Sequence, residues 1–299
     1  MKRIILFLVT NLVAVFALTV VTHVILALCG TSLAELFGEQ WTPLLVYAFV
    51  YGLGGSFISL LMSKPMAKFS TKAKTIDGSE GPAERWLVDT IADLARQANL
   101  KMPEVAIYPG AANAFATGAF RNSALVAVST DIMGQMSKDE LRAVLGHEMS
   151  HVANGDMVTL CLVQGVLNAF VLLFSRILAS VISSALSGDR KRRSSGAGTL
   201  VIAQVLQLVL GAFASLVAFW FSRKREFAAD AGSAKLLGSP FPMIAALRRL
   251  DNLQPGVLPD SIKAFGISSG KPKSKTSPWS THPSIEDRIS ALQNLTFTA

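Results

Sequence analysis

Four apolar runs, each long enough to cross a lipid bilayer, constrain the fold of this chain more than any other feature. The first occupies residues 4–28 and contains no Lys, Arg, Asp or Glu. At a rise of about 1.5 Å per residue it can cross a hydrocarbon core about 30 Å thick. The other runs occupy residues 41–62, 157–187 and 199–221. Together they predict two N-terminal transmembrane helices and a later helical hairpin in a multi-pass protein.

The charged residues also fit a membrane protein, with the lipid bilayer as its main non-protein partner. They make up 16% of the sequence, against about a quarter in soluble domains. The net charge of +8 comes from basic residues beside the apolar runs, including Lys2 and Arg3 before the first and Lys64 and Lys68 after the second. Because cytoplasmic segments carry the excess of Lys and Arg, these flanks are expected in the cytoplasm. No nucleic-acid partner is expected, because the basic residues are not interleaved with aromatic ones.

Between the apolar runs, residues 75–156 have the composition of a soluble domain. Short β-branched runs at 103–109 and 124–130 predict strands. Ser137, followed three residues later by Glu140, forms a capping box and predicts a helix from about 138 to 153. Further helices are expected in 222–255 and after Pro283. The predicted fold class is α+β, mostly α, with a small β-sheet.

The helix at 138–153 carries two of the four histidines of the chain, His147 and His151. Residues four apart lie on the same face of a helix, so both imidazoles can bind one metal ion. Glu148 follows the first of them and is placed to take a proton from a metal-bound water, which is the geometry of H-E-x-x-H in zinc peptidases. The alternative is a pair of buried histidines that only make hydrogen bonds.

A catalytic zinc site uses three protein ligands and an open position, so one ligand has to come from elsewhere. His23 lies in the first apolar run and His282 follows a Ser- and Lys-rich loop. Glu226 is the better candidate, with Asp230 one helical turn further on. That aspartate can accept the free ring N–H of a ligating histidine. Two solvated helix carboxylates among basic neighbours are the alternative.

Three stretches combine into a family resemblance: "LRAVLGHEMSHVANGD", then "REFAADAGSAKL" after an apolar hairpin, and the closing "STHPSIEDRI". They resemble the HtpX-type membrane zinc metalloproteases, which are relatives of the Ste24-like CAAX prenyl endopeptidases. The resemblance spans essentially the whole chain. It implies a zincin-like metalloprotease domain and one Zn²⁺ per chain, bound by His147, His151 and Glu226. Glu148 is then the acid/base residue, and Asp230 supports a ligand.

Two weaker similarities concern the substrate. The stretch "NAFATG" resembles the edge strand along which the substrate lies in this family, and an unpaired edge can hold an extended peptide by main-chain hydrogen bonds. The residues concerned are Asn113, Ala114, Phe115 and Ala116. The stretch "HPSIEDR" resembles a segment that contributes to the cleft, so His282 or Arg288 could stabilise the oxyanion. An ordinary strand, a helix-start histidine and a surface arginine are the alternatives.

The runs and motifs divide the chain into a membrane region at 1–63, a first protease segment at 64–156, an apolar hairpin at 157–221 and a second protease segment at 222–299. The predicted zinc ligands lie on both sides of the hairpin. Because one metal cannot be bound from both faces of a bilayer, the hairpin crosses twice or not at all. Spanning is favoured, although the basic cluster at 190–193 would then lie outside, against the usual charge rule.

The resemblance implies a zinc endopeptidase of the bacterial inner membrane, with its active site facing the cytoplasm. Its expected substrates are misfolded or damaged membrane proteins and unfolded polypeptides, cleaved in protein quality control under stress. A scaffold or chaperone with a structural zinc is the alternative, and it would need a fourth protein ligand, for which His282 is the candidate. A small transporter would need ionisable residues through the spans, where only His23 and Arg176 lie.

Overall fold

The protein is described from a computed structural model, and the residues described are 41–187, 197–253, 267 and 278–295. The predicted first span at 4–28 lies outside them. So do the basic cluster at 190–193 and most of the Ser- and Lys-rich loop that precedes His282, residues 267–281.

Three long helices dominate the described part of the chain. They are α1 (Trp41–Thr71), α5 (Asp156–Ser187) and α6 (Ala197–Leu237). Within that part they are the helices long and apolar enough to cross a membrane. Both α1 and α6 run past their predicted apolar ends at 62 and 221 without a break.

The described residues form two compact units. One comprises residues 41–58, 161–187 and 197–218, and it contains apolar stretches of the three long helices. Gly52 in α1 allows the close approach of α5, because a Cβ there would lie 2.5 Å from the backbone nitrogen of Ala169. Gly165 in α5 faces Leu53 in the same way. Small residues at such contacts are typical of packed membrane helices.

The second unit comprises residues 59–160 and 219–295, with the gaps given above, and it contains a four-stranded sheet. The strands are β1 (Lys74–Ile76), β2 (Glu104–Tyr108), β3 (Ala114–Thr117) and β4 (Leu125–Ser129), in the order β1-β2-β4-β3. Strands β2 and β4 are parallel, with Val105 opposite Val126, and the two outer pairs are antiparallel. The predicted strands at 103–109 and 124–130 are therefore confirmed, and β3 lies at one edge of the sheet.

Five shorter helices complete this unit: α2 (Pro82–Gln97), α3 (Thr130–Gln135), α4 (Lys138–Asn154), α7 (Phe241–Asn252) and α8 (Ile285–Gln293). The predicted capping box of Ser137 and Glu140 starts α4, and Gly155 ends it in the left-handed conformation at φ 70°. Every residue from Ala143 to Val152 is buried. Because this stretch of α4 is enclosed on all sides, its charged side chains need partners inside the protein.

The C-terminal end of α1 belongs to this second unit and is attached to the sheet. Lys64 and Lys68 both form ion pairs with Glu104 in β2. Ala67, between them, is fully buried in a small cluster with Phe115 of β3. This attachment explains why α1 continues to Thr71 instead of ending where its apolar run ends.

Candidate metal centre

Helices α4 and α6 cross at very close range beside the histidine pair. A Cβ on Gly146 would lie 2.8 Å from Ser233 Oγ, and a Cβ on Gly232 would lie 2.5 Å from Ser150 Oγ and 2.8 Å from Ser150 Cβ. The Ser233 hydroxyl also donates a 2.7 Å hydrogen bond to the carbonyl of Ala143. The glycine-to-serine contacts bring Glu226 and Asp230 of α6 up to the histidines of α4.

A methyl group at this crossing is expected to be costly. Gly232→Ala should destabilise the protein by about 1–3 kcal/mol, the usual cost of overpacking, and should weaken zinc binding because α6 has to move. Gly211→Ala in the same helix is the control, since a Cβ there has no atom within 4 Å and alanine favours a helix by up to about 1 kcal/mol over glycine. Thermal unfolding in detergent and zinc titration measure both. Equal behaviour of the two variants would contradict this description of the crossing.

Three side chains of α4 and α6 converge on one point inside the protein. His147 Nε2 lies 3.1 Å from His151 Nε2 and 3.5 Å from Glu226 Oε2, and His151 Nε2 lies 3.3 Å from Glu226 Oε1. Ligands at 2.0–2.1 Å around a tetrahedral zinc are separated by roughly 3.3 Å. The three residues are buried and form the His–His–Glu group of the described chain that can hold a metal ion. This is the set predicted from the sequence.

Hydrogen bonds to the other ring nitrogens show that this group fits a cation. Asp230 Oδ1 lies 2.8 Å from His147 Nδ1, and Asp156 Oδ2 lies 2.6 Å from His151 Nδ1. These carboxylates place the N–H of each neutral imidazole on Nδ1, which leaves a lone pair on each Nε2. The Nε2 lone pairs of His147 and His151 and the Glu226 carboxylate face one another inside the protein, away from solvent. A cation between them is needed to balance these electron-rich groups. Nitrogen and oxygen donors in this number suit zinc.

Without a metal, protons take the place of the missing charge. Burial opposes protonation of His151, but its hydrogen bonds with Asp156 and Glu226 outweigh burial and raise its pKa to about 10. The pKa of His147 is raised for the same reason, with Asp230 and Glu226 outweighing the burial. Zinc binding therefore competes with protons at this site.

Glu148 lies beside the histidines but has a different environment. It is fully buried, and neither carboxylate oxygen accepts a well-formed hydrogen bond. Burial raises its pKa to about 7, against the opposing effect of His147 and His151 and of the nearby backbone N–H of Ala116. A carboxylate with this pKa and without a fixed partner can exchange a proton near neutral pH.

Strand β3 lies at the sheet edge, where the sequence places a substrate-binding strand. Ser129 donates to the carbonyl of Asn113, so the main-chain groups of Ala114 and Ala116 point away from β4. Those of Ala114 are already paired: its N–H donates to Asn113 Oδ1 and its carbonyl accepts from the N–H of Ile267. Of these four residues, Ala116 is the other one whose main chain points away from β4, and the whole of β3 is buried.

His282 and Arg288, predicted as weak candidates, both lie at the site and are buried. His282 Nδ1 is 2.9 Å from Glu226 Oε2, close enough for an ion pair but without the direction of a hydrogen bond. Arg288 holds Asp230 with two hydrogen bonds, from Nε at 2.8 Å and from Nη2 at 2.7 Å. These contacts favour a role of Arg288 through Asp230 rather than against the substrate.

Asp156 and Arg225 were not predicted from the sequence. Asp156 follows the helix-ending Gly155 and hydrogen-bonds with His151, and Arg225 donates to the Asp156 carbonyl at 2.8 Å. The signal for the aspartate was an acidic residue placed just past a glycine C-cap in "HVANGD". The arginine had no signal, because a basic residue next to an apolar run usually marks the membrane boundary.

A buried His–His–Glu group with an unpaired carboxylate beside it, whose glutamate lies on a helix that continues from an apolar stretch long enough to cross a membrane, defines a membrane metalloprotease. Residues 82–296 match the Peptidase family M48. The chain belongs to that family.

Similar proteins agree with this assignment. The chain is 53% identical to a protease HtpX homolog of Leptothrix cholodnii, over 98% of this chain and 99% of that protein. It is 51% identical to a protease HtpX homolog of Janthinobacterium sp., over 99% of this chain and 100% of that protein. The predicted resemblance is therefore confirmed, and the chain is a bacterial membrane protein.

A solved structure shares the fold. The crystal structure of S. mikatae Ste24p superposes with a TM-score of 0.57 at 17% identity, over 96% of this chain and 67% of that chain.

Proposed function

We propose that this protein is a zinc-dependent endopeptidase that cleaves misfolded or damaged membrane proteins at the cytoplasmic face of the bacterial inner membrane. The observation that carries the proposal is the convergence of His147, His151 and Glu226 beside the unpaired carboxylate of Glu148. A third protein ligand leaves a tetrahedral metal one open position, which catalytic zinc sites keep for water or substrate.

Zinc, when bound, supplies a Lewis acid that polarises the scissile carbonyl and makes a water acidic enough to ionise near neutral pH. Glu148 then accepts the proton of that water on a carboxylate oxygen as the oxygen attacks the carbonyl carbon. It delivers the proton to the nitrogen of the leaving amine when the C–N bond breaks. His282 is proposed to donate to the oxyanion, and this is supported by its ring nitrogens, which have no hydrogen-bond partner in the described part of the chain.

Substrate is proposed to bind as an extended strand along the side of β3 that faces away from β4. The main chain of Ala116 faces this side, and its N–H lies near the Glu148 carboxylate. Main-chain pairing holds a peptide largely without regard to its sequence, which suits an enzyme of protein quality control. Ala114 contributes only if a substrate displaces Ile267 from its carbonyl.

The hairpin of α5 and α6 is proposed to span the membrane, with the site in the cytoplasm. Arg176 stacks over the ring of Tyr47, 5.0 Å from its centroid. At the rise of an α-helix, Arg176 lies about 30 Å along α5 from Asp156, which is about the thickness of the hydrocarbon core. An arginine at the far interface can extend to water, and this removes the cost of a charge within lipid.

Metal removal tests the enzyme assignment. The purified protein is expected to contain one zinc per chain and to cleave casein or a destabilised membrane protein. Dialysis against a chelator should abolish cleavage, and one equivalent of Zn²⁺ should restore it, because the ligands remain in place. Zinc content is measured by elemental analysis and cleavage by gel.

The competing scaffold function predicts a different result. Zinc would then be present at one per chain while no substrate is cleaved, and His282→Ala would weaken binding because its imidazole would close the site as a fourth ligand. Under the endopeptidase proposal, His282→Ala keeps the zinc.

A further inference from the structure

Asp156 is the closest polar partner of His151, the second histidine of the metal site. Its Oδ2 lies 2.6 Å from His151 Nδ1, and the aspartate is 6% exposed. Asp156 lies five residues after His151 in the sequence, directly beyond Gly155, which ends α4. The glycine adopts φ 70° and its N–H bonds to the carbonyls of His151 and Val152, so the first residue of α5 folds back against the end of α4.

We infer that Asp156 is the positioning residue of His151, a role that matches that of Asp230 toward His147. In both pairs a buried carboxylate accepts from Nδ1, and Nε2 is turned toward the common point with Glu226. Such carboxylates fix the tautomer and ring plane of a ligating histidine and raise its basicity. The inference rests on the proposed function, because it concerns the binding of the same metal.

Asp156 is held by a residue next to the third ligand. Arg225, 7% exposed, donates from Nη1 to the Asp156 main-chain carbonyl at 2.8 Å. Arg225 directly precedes Glu226 in α6, so the contact that holds Asp156 is adjacent in sequence to the third predicted ligand. The histidine from α4 and the glutamate from α6 are therefore connected by a path that does not pass through the metal.

Asp156 also begins α5, and an acidic residue in the first turn of a helix stabilises that helix. If Asp156 only stabilised the start of α5, replacing it would lower the stability of the protein. If Asp156 positions His151, replacing it lowers the metal affinity. Asparagine should restore part of that affinity, because its amide oxygen still accepts a hydrogen bond from Nδ1.

The experiment measures zinc affinity by competition with a chromophoric chelator, in full-length protein that carries Glu148→Gln to prevent self-cleavage. Asp156→Ala is expected to weaken zinc binding about 10–100-fold, the usual effect of removing such a partner, and Asp156→Asn less. Asp139→Ala is the matched control, because it removes an exposed carboxylate from the first turn of α4. Thermal unfolding of each metal-free variant and the visible spectrum of each Co²⁺-substituted variant are recorded alongside.

The expected result is a fall in affinity for Asp156→Ala, partial recovery in Asp156→Asn, an altered cobalt spectrum and no effect of Asp139→Ala. Zinc binding by Asp156→Ala as tight as in the parent overturns the inference. So does a loss of thermal stability in the metal-free variant with unchanged affinity, which is the result of a helix-start role alone. A parent that binds no zinc overturns the proposed function itself, so the two failures are distinct.

Discussion

Replacing Glu148 with glutamine is expected to reduce peptide cleavage by about 10²–10⁴-fold, the usual contribution of a general base. Glutamine has nearly the same shape but cannot accept the proton of the attacking water. The substitution should leave zinc at one per chain, because Glu148 is not among the three residues that converge on the metal point. Initial rates on casein and zinc content, measured on the same preparation, test both parts.

The control for this experiment is Glu286→Gln, which changes an exposed glutamate in α8. It should leave both rate and zinc content unchanged. A Glu148→Gln protein that cleaves at the parent rate would show that another group takes the proton. A variant that has lost its zinc would show instead that this carboxylate contributes to metal binding.

The part of the site that lies within one helix could be predicted from the sequence. His147, Glu148 and His151 depend only on helical periodicity, and the capping box fixed the start of α4 at Ser137. Local geometry of this kind is set by the backbone. The strands β2 and β4 were found for a similar reason, since β-branched runs between turn residues leave few alternatives.

The remaining part depends on contacts between distant segments. Glu226 and Asp230 were candidates by their residue types and helical spacing, and family resemblance assigned them to the site. Spacing alone could not show that Gly232 meets Ser150 across α4 and α6. Packing of this kind is decided by pairs of surfaces that no single stretch of sequence contains. Arg288 illustrates the same limit, because a basic residue in the polar motif "HPSIEDR" is fully enclosed through its pairing with Asp230.

The buried charges also explain why many polar side chains surround the point on which His147, His151 and Glu226 converge. A charge removed from water is stable only if it is paired and hydrogen-bonded. His147 therefore connects to Arg288 through Asp230, while His151 connects to Arg225 through Asp156. The two connections do not use the Nε2 atoms of the histidines or the Glu226 carboxylate, so these are the groups to which a metal ion would bind.

Replacing Glu226 with alanine is expected to have the second large effect, on both zinc binding and stability. The variant loses a ligand, so its zinc affinity should fall by more than the roughly 100-fold that the loss of an outer partner can cause. It also leaves His147, His151 and Arg288 without the carboxylate they approach at 3.3–3.6 Å. Removing one partner of a buried ion pair costs about 3–5 kcal/mol, so metal-free protein should unfold at a lower temperature.

A double variant separates the effect of losing a zinc ligand from the effect of losing a buried ion pair. In metal-free protein, the double variant His147→Ala with Glu226→Ala should lose less stability than the sum of the single variants, because it removes an unpaired charge together with its former partner. Additive losses would contradict a direct interaction between the two side chains. Glu286→Ala, an exposed change in α8, is the control for loss of a carboxylate. Zinc titration with thermal unfolding in the same detergent measures each variant, and near-parent zinc affinity for Glu226→Ala would remove this residue from the metal site.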